Sequence, residues 1–297
     1  MNSDLRADNR RLALDVARPS PKIEFREIES GSQDFEKAYT LYARSFPVGE
    51  LESIEVIEAW IRNDREGKLG QDRFHFHGAF LKEPLETGEK KFEAGSIIGL
   101  SSFHYMGKIK SGFLGYSVIE SELRSSGIGS LFFVYLVKTI EEDAGGIGKA
   151  RAVYMEIDKP SAEDPNTIRR LRFWAKNGVE PLDMDYEFPC LGEEDAPAQW
   201  GMMLSVIESA GERSFTDALR AEQAHPNGST QQSLFVAQVE EAVRAIYESV
   251  YHIKDDSHPS LQRVLYSVRT IGERNGGMIP RKQIPGIGSA EPIFMPS

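Results

Sequence analysis

The residues whose types and spacing most plainly suit chemistry are Arg124-Ser-Ser-Gly127-Ile-Gly129. They follow FLGYSVI (113–119), an apolar run of strand length that turns polar at Glu120. They precede Ile128, Leu131, Phe132, Tyr135, Leu136 and Ile140, which recur at helical spacing. A strand that ends in a Gly-containing turn and opens a helix makes an anion site. The first N–H groups of the helix have no partner within it, and the positive end of its dipole faces outward. Gly127 and Gly129 lack side chains, so a ligand can approach the backbone closely. The natural guest is a pyrophosphate, held by Arg124, Ser125, Ser126, Gly127, Ile128, Gly129 and Ser130. The bare pattern Arg/Gln-x-x-Gly-x-Gly arises by chance in about one chain of this length in eight, so its placement carries the weight. Phe132 stands where a dinucleotide fingerprint needs a third glycine, and no lysine follows Gly129 as a P-loop requires.

Other chemistry-bearing residues are weaker signals. His75 and His77 fall on one face of an expected strand and could form half of a metal site, but no Cys or acidic residue sits at a supporting spacing, so no metal is expected. His104 reads as a packed or pocket-edge residue. The Gly-rich EDAGGIGKA (142–150) follows a helix and precedes a strand, the wrong order for a phosphate loop, and reads as a helix stop.

The elements that must position these groups can be read in order. An arm (1–22) is charged and ends in Pro-Ser-Pro. A strand is expected from Ile23, helices over 35–46 and 54–61, and strands over 73–81, 96–105 and 113–119, with 84–95 as a polar turn. The last three strands should form an antiparallel meander. RAVYMEID (151–158) alternates as a strand, with Val153, Met155 and Ile157 on one face and Tyr154, Glu156 and Asp158 on the other. Asp164-Pro165 starts a helix that Gly178 ends. Strands over 179–189 and 200–208 should close the sheet. Two amphipathic helices follow in 210–276, packed on the core or on a second subunit, so a homodimer is one expectation. The tail 277–297 reads as irregular.

Composition narrows the class. A chain of 297 residues with 40% hydrophobic content suffices for one large domain or a domain with an appendage. A net charge of −11 argues against a nucleic-acid partner. No apolar run reaches the ~18 residues of a membrane helix, and the N-terminus lacks the apolar core of a secretory signal. Cys190 is the single cysteine, so no internal disulfide can form. A cytoplasmic protein with no membrane partner is the expectation.

The 113–141 stretch resembles the acetyl-CoA-binding motif of the GNAT N-acetyltransferase superfamily, Arg/Gln-x-x-Gly-x-Gly/Ala at a strand-to-helix junction. RAVYMEID and DPNTIRRLRFWAKNGVEPL (164–182) resemble the strand and helix that follow it there. The resemblance covers roughly 23–209. It implies an α/β (α+β) fold with a mixed, mostly antiparallel central sheet flanked by helices, here with a C-terminal helical extension. It also implies an acetyl-CoA-dependent N-acyltransferase acting on a primary amine of a small molecule or protein, with acetyl-CoA as co-substrate. The alternatives are a catalytically silent acyl-CoA-binding sensor or scaffold and, more remotely, a phosphate-ligand protein sharing only the turn.

Roles follow from that resemblance. The strand segment from Tyr116 through Val118 and Ile119 to Glu120 would splay from its neighbour and hold the pantetheine arm by its backbone. Glu50 and Glu52, at the start of the second helix, would face the amine or simply favour that helix's dipole. A lysine-like amine reaches its neutral form at pH 7 for about 4.6 kcal/mol, so a carboxylate base is useful. Glu156 is one candidate, with a structural role as the alternative; Glu120 is the second and could only cap its turn. Replacing Glu156 by Gln is expected to matter most at low pH. Trp174 occupies the position of a tyrosine that serves many members as the acid, and an indole N–H is not a useful acid. Losing that acid is survivable, because a thiol of pKa near 8.5 leaves unprotonated at pH 7 for about 2 kcal/mol. Tyr154 and Tyr186 are possible substitutes.

Overall fold

The computed structural model describes residues 21–47, 50–88, 90–189, 201–208, 234–284 and 287. Most of the expected arm, Cys190 and the first part of the expected extension lie outside them. The elements are β1 (Ile23–Glu27), α1 (Gln33–Ala43), α2 (Ile54–Arg65), β2 (Arg73–Leu81), β3 (Leu85–Thr87), β4 (Lys90–Phe92), β5 (Ile97–Met106), β6 (Ser111–Ile119), α3 (Ile128–Asp143), β7 (Ala152–Asp158), α4 (Pro165–Lys176), β8 (Glu180–Pro181), β9 (Met202–Glu208), β10 (Leu234–Phe235), α5 (Val236–Ser249), α6 (Pro259–Arg274) and β11 (Met278–Ile279). Side-chain caps begin several helices where the sequence offers them. Ser32 Oγ accepts from Phe35 N–H (3.1 Å), Ser53 Oγ from Val56 N–H (3.3 Å), and Asp164 Oδ1 from Asn166 N–H (3.0 Å) with Pro165 next in line.

Seven strands form one sheet in the order β1-β2-β5-β6-β7-β9-β8. Every pairing is antiparallel except β6 with β7, which α3 connects. The fold is therefore mixed α/β with a mostly antiparallel central sheet flanked by helices. One sheet face is covered by α3, with Phe132, Leu136 and Ile140 packed on Leu114, Val153 and Met155. Phe133 and Val137 of α3 are buried as well, and the Phe133 ring meets Trp174 of α4 edge-on. The apolar stripe of α3 is thus wider than its sequence spacing predicts.

Two helix pairs share the opposite face. α1 and α2 cover Phe74, Phe76 and Leu100. α5 and α6 cover Phe113, Ala152, Tyr154, Leu204 and Val206. The C-terminal helices therefore pack on the sheet itself and close its core. They are tied to the rest by Trp60 Nε1–H donating to His252 Nε2 (2.8 Å) and by Ser249 Oγ donating to Asp72 Oδ2 (2.7 Å).

Three local expectations are corrected. The polar turn at 84–95 contains the β3–β4 hairpin. Of the strand expected over 179–189, only Glu180–Pro181 joins β9. Beyond Leu182 the chain is drawn off the sheet edge by the C-terminal layer: Asp185 N–H donates to Ser267 Oγ (2.9 Å) and Tyr247 Oη–H to the Glu187 carbonyl (2.6 Å). The start of the tail is ordered, because β11 pairs with β10 and Arg281 bridges to Leu182. No helix among the described residues is long and apolar enough to cross a membrane.

Candidate active site

The site begins where two strands part. β6 and β7 pair only over Gly112–Leu114 and Val153–Met155. Just beyond, Gly115 has no register partner on β5, a bulge between Ser102 and Phe103 that bends β6. From there β6 stays on β5 while β7 stays on β9, and a cavity of about 1070 Å³ opens between them. Backbone groups of 115–119 that would have paired with β7 are left facing it. Tyr116, Val118 and Ile119 line the cavity.

At one end lies the Gly-containing turn. A single 3₁₀ turn at Ser121–Leu123 carries the chain to Arg124, whose Nε–H donates to the Ile119 carbonyl (3.3 Å). Ser125 (φ 64°) and Gly127 (φ 86°) both take left-handed conformations, and Gly127 caps α3. For a residue with a Cβ this region is strained, which is why glycine suits the cap. The first helical bond comes from Leu131 N–H to the Gly127 carbonyl (3.1 Å), so the N–H groups before it have no partner in the helix. Arg124, Ser125, Gly127, Gly129 and Ser130 line the cavity. A Cβ on Gly129 would meet the Phe173 ring at 3.1 Å, so α4 packs directly over this helix start. Ser126 does not line the cavity; its Oγ–H donates to the Leu123 carbonyl (2.6 Å). The Ile128 side chain is in the core, leaving only its backbone for a ligand.

α4 adds cations that the motif alone does not announce. Arg169, Arg172 and Lys176 line the cavity and form no ion pair among the described residues. Arg170 is held by Asp158 (2.8 Å) and Asp164 (3.3 Å). The run RRLRFWAK carried this signal in plain sight.

The other end of the cavity is acidic. Glu50, Glu52, Glu156 and Asp158 all line it. Glu156 Oε1 accepts two phenolic hydrogen bonds, from Tyr186 and Tyr251, each at 2.5 Å. Among the described residues its Oε2 has no partner. Burial pushes the Glu156 carboxyl up to about 7; the two phenols oppose this and the nearby Glu50 charge adds to it. Glu50 is raised by burial and by Asp158, with Arg170 opposing; Glu52 is raised by burial. Tyr116 donates to the Glu50 carbonyl (2.5 Å) and Glu52 N–H donates to Tyr42 Oη (2.8 Å), which fixes the backbone carrying both acids.

Glu120 is placed elsewhere. It forms ion pairs with Arg44 and Lys90 and does not line the cavity, so the structure gives it a tethering role between α1, the β3–β4 hairpin and the end of β6. Tyr154 lies in the apolar layer beneath α5 and α6 and also misses the cavity. Trp174 lines it. His75 and His77 do find partners that sequence spacing missed, Asp143 Oδ2 (2.7 Å) and Tyr135 Oη (3.0 Å). No group of three or more ligating side chains exists among the described residues. His104 is buried on the cavity wall against Trp60, with its pKa lowered to about 3 by burial and by neighbouring histidines. Tyr251 had not been singled out at all. It comes from the C-terminal layer, 95 residues from Glu156, and no local pattern marks it.

Comparisons with known proteins give the following. No protein-family model matches the chain, and no curated protein matches it. Among solved structures, a Bacteroides thetaiotaomicron protein assigned to the GNAT acetyltransferase family superposes with a TM-score of 0.46 at 19% identity, covering 68% of this chain and 97% of its own. Arabidopsis thaliana NAA60 in complex with acetyl-CoA gives 0.43 at 17% identity, covering 64% and 100%. The ribosomal-protein-S18-alanine N-acetyltransferase of Escherichia coli gives 0.39 at 12%, covering 65% and 98%. With TM-scores below 0.5, the functional reading rests on this chain's own residues.

Proposed function

We propose that the protein is a GNAT-type, acetyl-CoA-dependent N-acyltransferase that moves an acetyl group to a primary amine of a small molecule or protein. The observation that carries this is a single cavity with opposite chemistry at its ends. The α3 start with Gly127, Gly129 and Ser130, ringed by Arg124, Arg169, Arg172 and Lys176, suits the phosphates of acetyl-CoA. The edge of 115–119 that β7 leaves without a strand partner suits its amide-bearing arm, which would bring the thioester to the gap between β6 and β7. Bound there, acetyl-CoA supplies an activated acyl carbon and a thiol leaving group.

The acidic end suits the acceptor. Glu50 and Glu52 form no ion pair among the described residues and favour a cationic amine over one bearing its own carboxylate. Among the described residues Glu156 Oε2 has no partner, which leaves it to accept the proton that nitrogen sheds as the C–N bond forms, the ammonium having first given its own proton to water. A base titrating near 7 is matched to proton transfer at neutral pH. This alters the expected pH dependence. At low pH Glu156 is itself protonated, so the gap between the wild-type protein and Glu156→Gln should be widest above pH 7 and close as the pH falls.

The test is calorimetry with acetyl-CoA followed by a thiol-release assay over polyamines, amino sugars, amino acids and peptides. The reading expects binding, amine-dependent thiol release, and a loss of about 10²–10⁴-fold in kcat for Glu156→Gln with binding kept. Binding without release from any amine would instead support the silent acyl-CoA-binding module, and an absence of binding would overturn both.

A further inference from the structure

Beyond the cavity, the conspicuous polar clusters already satisfy one another: His75 with Asp143, His77 with Tyr135, Glu187 with Arg263. Within it, two buried polar side chains do not. Ser102 is 5% exposed and His104 7% exposed, and both line the cavity. Neither side chain makes a hydrogen bond among the described residues. Buried polar groups are nearly always paired, so two unpaired ones on a cavity wall call for a partner that enters from outside.

The fold sets the two side by side. They lie two residues apart on β5, so alternation puts both on the sheet face that α1 and α2 cover. The His104 ring is wedged between Trp60 and Phe74, with centroids at 5.2 and 4.9 Å. Burial and the neighbouring histidines lower its pKa to about 3, which keeps it neutral. Ser102 is reached past Gly115: a Cβ there would stand 3.5 Å from Ser102 Oγ, and glycine has none. Tyr116, the register partner of Ser102, donates to the Glu50 carbonyl (2.5 Å), so the pair adjoins the acidic end. The Trp60 N–H is taken by His252 (2.8 Å), which joins α2 to the C-terminal layer here and leaves the indole as an apolar wall.

A neutral imidazole carries one N–H donor and one nitrogen acceptor, and a serine hydroxyl both donates and accepts. The group that answers both is another hydroxyl. An ammonium only donates and finds its counter-charges at Glu50 and Glu52; a carboxylate only accepts and is repelled by them. We propose that Ser102 and His104 are the specificity-determining pair of the acceptor site and bind a neutral hydroxyl, so that the acceptor is a hydroxyl-bearing primary amine, an amino alcohol or amino sugar. Its ammonium lies toward Glu50 and Glu52, and its carbon skeleton lies against the Trp60 ring. This rests on the acyltransferase reading and narrows its acceptor.

The test uses the full chain and two acceptors that differ by one hydroxyl, an aminocyclohexanol and cyclohexylamine, with glucosamine, putrescine and an alanyl peptide alongside. The wild-type protein is expected to favour the aminocyclohexanol by about 10-fold or more in kcat/KM, because cyclohexylamine leaves buried polar groups unpaired. Glucosamine should likewise exceed putrescine and the peptide. Ser102→Ala and His104→Phe should each lower the rate with the aminocyclohexanol and leave that with cyclohexylamine within about 2-fold, so that the preference collapses. Calorimetry should find acetyl-CoA affinity unchanged in both. Ser102→Ala carries the comparison alone if His104→Phe does not fold. Equal losses with the two acceptors would give the pair a merely structural role and overturn the inference. A wild-type protein without the hydroxyl preference, or one whose best acceptor is putrescine or the peptide, would overturn it too. Each of those outcomes leaves acetyl transfer standing, whereas an absence of transfer to every amine would overturn the underlying reading and this inference with it.

Discussion

Replacing Glu156 by Gln should make the protein more stable while slowing its turnover, and the stability gain should depend on pH in a defined direction. The folded carboxyl titrates near 7, against 4.5 for an unperturbed one. Between those values the folded state holds a proton that the unfolded state has released, so wild-type stability falls as pH rises through this window and levels off above it. At ~1.36 kcal/mol per pKa unit, that rise costs the folded state about 3 kcal/mol once the carboxyl is ionised. Glutamine has nearly the same size, keeps a carbonyl oxygen for the hydroxyls of Tyr186 and Tyr251, and carries no charge to desolvate. Urea unfolding at pH 8 should therefore find Glu156→Gln more stable by about 3 kcal/mol, a large part of a typical domain's total. Near pH 4.5 the two proteins should be equally stable, since both are neutral at this position. An offset that stays constant from pH 4.5 to 8, or a variant less stable at pH 8, would refute the claim that the site holds an ionised carboxylate at a thermodynamic cost. Stability given up at a functional position is a common signature of an active site.

Three further outcomes are expected. Glu50→Gln removes a charge that raises Glu156, so the acid limb of the kcat/KM profile should move below pH 7, and KM for cationic acceptors should rise. Gly129→Glu places a carboxylate at the phosphate end of the cavity, and calorimetry should show acetyl-CoA binding lost; unchanged affinity in a folded variant would remove the turn from the cofactor site. A chain ending at residue 209 uncovers Phe113, Tyr154, Leu204 and Val206 and loses the burial of Val239, Val243, Ile246, Val264 and Leu265. At about 2 kcal/mol each those five amount to roughly 10 kcal/mol, so the truncated chain should be insoluble or unfolded; a soluble, cooperatively folding product would show that the C-terminal helices are an independent module.

Much of the fold was legible because its signals are local. The alternation over 152–158, the Asp164-Pro165 start of α4 and the glycines after α3 each state an element's type or end within a few residues. Glu141 deepens the last of these, since its buried carboxylate accepts from Gly148 N–H (3.1 Å) and secures the helix stop. The turn before α3 was placed for the same reason, since two glycines between an apolar run of strand length and a helical pattern mark a strand-to-helix junction. What failed was set by partners distant in sequence. The segment after Pro181 has strand-like residues, yet Ser267 and Tyr247 of the C-terminal helices claim its backbone groups. Glu120 reads in the sequence as a second candidate base or a cap of its turn, whereas Arg44 and Lys90 from other elements pair with it.

The site divides along the same line, and the division bears on how its chemistry is built. Binding a pyrophosphate needs backbone donors at one helix start, which a six-residue stretch can specify alone. Moving a proton needs a carboxyl whose affinity is tuned, and tuning needs enclosure from several directions. Around Glu156 that enclosure comes from β7 itself, from the segment after Leu182 that carries Tyr186, from Tyr251 two residues past α5, and from Glu50 ahead of α2. None of these lies within 25 residues of another along the chain. A carboxylate on this strand without the C-terminal layer would be more exposed to water, and its pKa would fall toward the ordinary value; losing the Tyr251 phenol, which lowers the pKa, would act in the opposite direction. The C-terminal layer thus does more than close the core: Val250 and Tyr251, just past α5, line the cavity, and Tyr251 donates to Glu156.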